Sequence, residues 1–130
     1  MIKIQFVKKG KCRNNGIGDY FNKGNNTHIL AQTFKDSRLP FAIAAHELIE
    51  QFTTSYYGID EPLINEFDAA FEEERELGLH KEDDEPGDDP RAIYHEQHQF
   101  AEKIEKQIVE YLGLTWEEYC SKINEYGKEK

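Results

Sequence analysis

Cysteine is scarce in this sequence: Cys12 and Cys120 are the only two in 130 residues, and they stand at opposite ends of it. A small domain stapled by disulfides carries more cysteines at shorter spacings, so no disulfide framework is expected and both thiols are read as unpaired. No run of about 18 apolar residues occurs, which leaves no candidate for a membrane-spanning helix, and Met1 is followed by alternating IKIQFV rather than the apolar stretch of a signal peptide. A soluble, cytoplasmic protein is therefore expected. Basic residues are outnumbered too, with 16 Lys and Arg against 26 Asp and Glu and a formal charge of −10. Nucleic-acid binding draws its affinity from cations that displace counterions from phosphates, so direct nucleic-acid binding is not expected.

The acidic charge is concentrated. Residues 72 to 90 hold ten carboxylates against Arg75 and Lys81, so this segment carries −8 and the remainder only −2. Its DDEPGDDP core lacks the oxygen spacing of an EF-hand, and the plainest reading is a solvated loop over residues 78 to 90.

The rest of the chain alternates between two periods. IKIQFV places Ile2, Ile4 and Phe6 on one face with the period of two that a half-buried strand requires. GDYF and THILAQTF flank NKGNN, whose Asn and Gly residues suit a hairpin. Pro40 fits the first turn of a helix with Asp36 or Ser37 as cap, and FAIAAHELIEQFTTSYY continues it to Gly58. A second helix is expected from about Pro62 to Gly78 and a third from Asp89 and Pro90 to Gly113, while Thr115 with Glu118 forms a capping box for a short fourth. The expectation is one α+β domain over residues 1 to 130. A small antiparallel sheet of about three strands (1–36) packs against the first helix, and the helical part runs from 37 to 126.

That first helix contains the chemistry. His46-Glu47-Leu48-Ile49-Glu50 differs from HExxH by one residue, giving HExxE. Drawn as a wheel, Phe41, Ala45, Leu48, Ile49, Phe52 and Tyr56 form one stripe, expected to face the core, and His46, Glu50, Thr53 and Tyr57 form another. Residues four apart lie one turn from each other, so His46 and Glu50 can converge on one cation. Glu47, one position on, is offset toward water held by that cation and suits the role of general base. Carboxylate oxygen binds zinc readily, and exchanging imidazole for carboxylate makes manganese or iron more competitive than at an HExxH site. By chance alone such a pentapeptide is expected about 0.1 times in a chain of this composition, so context decides its meaning.

Two or three strands including a hairpin, followed directly by a helix with His-Glu-x-x, resemble the start of the zincin-like metallopeptidase fold over residues 1 to 58. The resemblance implies a zinc ligand at His46, a general base at Glu47, a second ligand at Glu50, and an edge strand that binds a peptide or protein substrate. Its gluzincin branch takes a third ligand from a glutamate on a later helix, often after asparagine, which Asn65-Glu66 would supply. Asp68 is the competing carboxylate there. On the third helix His98 lies at the edge of the apolar stripe made by Ile93, Tyr94, Phe100, Ala101, Ile104, Ile108, Tyr111 and Leu112, where it can cover the polar stripe of the first helix. His95 lies further out, and His28 and His80 are expected at the surface. The C-terminal half, with GIDEP, FDAAFE and EPGDDPRAIYHEQHQFA, also resembles small proteins encoded in phage and bacterial genomes.

Three functions remain in play: a zinc-dependent peptidase or other hydrolase, a structural metal site without chemistry, and an acidic interaction protein with no metal. A di-iron bundle is set aside, because no histidine follows a glutamate by three residues. No serine or cysteine sits in an activating context for nucleophilic catalysis.

Overall fold

The computed structural model describes residues 1 to 128. Three strands, β1 (Ile2–Val7), β2 (Gly18–Lys23) and β3 (Asn26–Gln32), precede four helices, α1 (Arg38–Tyr56), α2 (Glu61–Glu76), α3 (His95–Tyr111) and α4 (Trp116–Lys128). This is the expected α+β order. β2 and β3 pair antiparallel through a two-residue turn with Gly24 at φ +62°, a conformation that glycine adopts without strain.

The sheet is mixed rather than antiparallel throughout. Its strand order is β1-β3-β2, and β1 runs parallel to β3 with Ile4 opposite Ile29 and Phe6 opposite Ala31. Side-chain alternation reports which face a strand buries and not its direction. Between β1 and β2 the chain carries a single 3-10 turn at Arg13–Asn15 and crosses the place that β3 later fills. α1 lies over β2 and β3, and Ile2, Ile4 and Phe6 at the uncovered margin stay more than half exposed.

The buried face of α1 is the opposite of the one its apolar residues suggest. Phe41, Phe52 and Tyr56 are exposed, whereas Leu39, Ala42, Ile43, His46, Glu50 and Thr54 are buried. The wheel reading gave the core side to the stripe of Phe41, Phe52 and Tyr56, while the stripe of His46 and Glu50 is the one that is covered. Here α1 packs against α3 through a seam in which Ala42 and Ala101 are completely buried, and small side chains let the two backbones approach. In that seam His46 is hydrogen-bonded to Glu50 and Glu105, and His98 to Glu50. On α3, accordingly, Phe100 and Tyr111 are exposed while Ala101, Glu105 and Val109 are buried.

α3 also starts later than expected. Asp89 and Pro90 belong to a turn in which the Asp89 carboxylate accepts from the Arg91 backbone N–H and its carbonyl accepts from Ala92 N–H. The capping box at Thr115 forms as read, with Glu118 N–H donating to Thr115 Oγ1 and Thr115 N–H to Glu118 Oε1. α4 then delivers Tyr119 into the main core beside Ile29, Leu39 and Val109. Among the described residues no helix is long and apolar enough to cross a membrane.

Candidate metal centre

Three side chains meet where α1 and α3 cross. His98 Nδ1–H donates to Glu50 Oε2 at 2.9 Å and His46 Nε2–H donates to the same oxygen at 3.1 Å. One donor atom from each residue lies within 4.8 Å of the others, and all three residues are buried. The i, i+4 spacing places His46 and Glu50 on one turn of α1, as the sequence implied. The bond to Glu50 across the seam brings in His98.

Each ring is fixed from behind. His46 Nδ1–H donates to Glu105 Oε1 at 2.7 Å, and Glu105 Oε2 in turn accepts a hydrogen bond from the Tyr119 hydroxyl. A carboxylate on the far nitrogen of an imidazole selects its tautomer and orientation, which is the arrangement that supports metal-ligating histidines. Glu105 and Tyr119 escaped the sequence reading. A usable signal existed for Glu105, which shares a face with His98 two turns earlier; none existed for Tyr119.

Charge in the cluster is strongly coupled. Burial opposes a proton on His46, but the hydrogen bonds to Glu105 and Glu50 outweigh it and its pKa is raised well above the usual value. Burial likewise opposes charge on Glu50, yet the hydrogen bonds from both histidines bring its carboxyl down to about 2. Protons on the rings and a divalent cation are alternatives for the same lone pairs. The donor separations of 2.9 and 3.1 Å are those of hydrogen bonds and also lie near the roughly 3.3 Å between ligand atoms of a tetrahedral zinc site.

Glu47 is half-buried one position along α1 and packs over Gly18 of β2. A Cβ at position 18 would meet Glu47 Cγ and Oε1 at 2.9 Å and Ile43 Cγ2 at 2.8 Å, so only glycine leaves the carboxylate its place. Burial, and then the Glu50 carboxylate, push the Glu47 pKa well up. Tyr20, on the next inward position of β2, has a buried hydroxyl with no hydrogen-bond partner among the described residues. Burial first, followed by Glu50 and Glu47, raises its pKa, which sets the phenol in the field of both carboxylates. The sequence pattern marked Tyr20 only as a strand residue.

The other candidates fall elsewhere. Asp68 stands behind the cluster, accepting from the Tyr94 hydroxyl at 2.5 Å, and is not one of the converging donors. Glu66 is exposed on α2. His95 Nδ1–H donates to the Gly87 carbonyl, His28 stacks on Phe21, and His80 stacks on Phe71. Both thiols are free, and burial pushes Cys12 up to about 12 and Cys120 up to about 11, which removes them as ligands or nucleophiles at neutral pH.

Asp68 yields a pH prediction. Burial raises its pKa to about 6, against the opposing pull of the Tyr94 hydrogen bond and with the Glu50 carboxylate adding to the rise. The folded state therefore binds this proton more tightly than the unfolded chain, whose Asp titrates near 3.8. The contribution is complete below 3.8 and lost as pH rises through about 6. Asp68→Asn is expected to flatten the stability-versus-pH curve between these values, as read by urea unfolding at half-unit steps; an unchanged slope contradicts the assignment.

The edge of β2 is closed by the chain itself. Arg13 donates to the Tyr20 carbonyl at 2.7 Å while its fork holds Asp19, and Glu61 of α2 accepts from Asn22 N–H at 3.3 Å and its amide at 2.8 Å. A peptide strand added there would displace both. No family model, no curated protein and no solved structure matches this chain.

Proposed function

We propose that this protein is a divalent-metal protein, with zinc the first choice and manganese or iron the alternatives, whose centre is formed by His46 Nε2, Glu50 and His98 Nδ1 and whose activity is hydrolytic. The observation that carries this is the convergence of three buried donors from two helices onto one point, with a carboxylate buttress behind His46. Two imidazoles and one glutamate form a donor set used by catalytic zinc sites, where the protein supplies three ligands and leaves a position open. Zinc bound there supplies a Lewis acid that acidifies water toward neutral pH.

The chain's own residues do the rest. Glu105 keeps a proton on His46 Nδ1, so the Nε2 lone pair is the one presented to the centre. Glu47, held over Gly18, accepts the proton that attacking water must lose. The Tyr20 hydroxyl, without a hydrogen-bond partner among the described residues and in the field of Glu50 and Glu47, suits an oxygen that gains negative charge during hydrolysis. The engaged edge of β2 favours a compact substrate over an extended peptide laid along that strand.

A second reading, a structural metal site without turnover, is favoured by the depth of burial: His46 is 8%, Glu50 6% and His98 4% exposed. A saturated site joining α1 to α3 would explain this equally well.

Elemental analysis separates metal from no metal. Purified protein is expected to carry zinc in stoichiometric amount, His46→Ala to lose it, and Glu105→Gln to weaken zinc binding by about 10–100-fold. Metal-free native protein whose stability is indifferent to added zinc contradicts both readings.

A further inference from the structure

The acidic segment is the solvent-exposed loop expected, but it is ordered. Arg75 organises it by donating to the backbone carbonyls of Lys81, Glu82 and Asp84, and a 3-10 turn at Pro86–Asp88 then lies against α3. Gly87 presses onto the His98 ring so closely that a Cβ there would fall 2.3 Å from His98 Cγ. His95 holds the Gly87 carbonyl from one side of the turn and Gln99 holds the Asp88 carboxylate from the other, at 2.9 and 3.1 Å.

This turn sets two carboxylates around the far nitrogen of His98. Glu85 Oε2 lies 3.1 Å and Asp88 Oδ1 3.2 Å from His98 Nε2, and Glu102 Oε2 lies 3.7 Å away. Neither near oxygen is in line for a hydrogen bond: Nε2 is buried and, among the described residues, without a hydrogen-bond partner. His98 itself is 4% exposed. A buried ring nitrogen is seldom left unsatisfied, because the desolvation is not recovered. One nitrogen and two carboxylate oxygens within 4.8 Å of one another meet at a common point better than they pair.

We propose that the outer side of His98 is a second divalent-cation site, with His98 Nε2, Glu85 and Asp88 as ligands; when the buried triad is also filled, the ring gives up its Nδ1 proton to solvent and is shared as an imidazolate. The sharing rests on the metal reading of the inner centre; the outer ligand set does not. Glu50, Glu85, Asp88 and Glu102 surround a single imidazole, and a dication offsets this excess of negative charge where one ring proton cannot. A nitrogen with carboxylates selects zinc or manganese over calcium, whose sites are built from oxygen alone. Glu85 and Asp88 have side chains about half open to solvent, so a cation reaches this site without crossing the helix seam.

The test is calorimetric titration of chelator-treated full-length protein with zinc. The parent protein is expected to take up two equivalents. Glu85→Gln with Asp88→Asn, both on exposed side chains, is expected to take up one, and His46→Gln one. A parent that binds a single equivalent, unchanged in number and affinity by the Glu85/Asp88 double substitution, overturns the proposal. So does a His46→Gln protein that keeps its circular dichroism spectrum and binds no zinc. If the double substitution abolishes all binding while His46→Gln retains one equivalent, the outer site stands and the inner centre falls.

Discussion

Glu50→Ala is expected to be the most destabilising single substitution in the seam, costing about 3–5 kcal/mol in urea unfolding at pH 7 with chelator present, because it strips two buried imidazoles of their shared acceptor. The Coulomb attraction that holds protons on His46 and His98 disappears while their desolvation remains. Glu50→Gln keeps one acceptor oxygen and is expected to lose less. The pH dependence has a definite sign. A carboxyl whose folded pKa is depressed to about 2 from 4.5 contributes stability above 4.5, and the contribution is lost as pH falls through about 2. The acid limb of the parent's stability curve should therefore be steeper than that of Glu50→Ala. A loss below about 1 kcal/mol would mean that the hydrogen bonds do not share the burden described.

Glu47→Gln is the substitution that separates chemistry from structure. If Glu47 is the base, zinc content is retained and hydrolysis of small ester and amide substrates falls by about 10²–10⁴-fold. Stability should move the other way. Burial and the Glu50 carboxylate raise the Glu47 pKa, so ionising it weakens the fold as pH rises, and an uncharged isostere removes that loss. An enzyme site that is costly to keep is the expected outcome. Glu47→Gln protein that hydrolyses at the parent rate removes Glu47 as the base, whereas a parent with no turnover across the panel leaves the structural metal reading in possession.

Much of this molecule was legible from residue order, and the parts that were not share a cause. The strands followed from alternation, the hairpin from NKGNN, the last helix from a two-residue capping box, and the meeting of His46 with Glu50 from the arithmetic of a helical turn. The direction of β1 was hidden because alternation has no polarity. The buried face of α1 was misjudged because a wheel ranks Phe52 above Glu50, and only the seam with α3 reverses that order. Glu105, Tyr119 and the carboxylates at 85 and 88 lie 35 to 73 positions from His46 and Glu50, farther than any local periodicity reaches. The acidic loop was read by its charge alone, and the fork of Arg75 that gives it shape binds backbone oxygens, which composition does not display.

The hydrogen bond from Tyr119 to Glu105 has a consequence for the order of events during synthesis. His46 is translated long before the helix that buttresses it, and the clamp on its ring is completed only when α4 folds back. A nascent chain ending before residue 119 lacks the hydroxyl that steadies Glu105, so the His46 ring is expected to be less firmly oriented until α4 is in place.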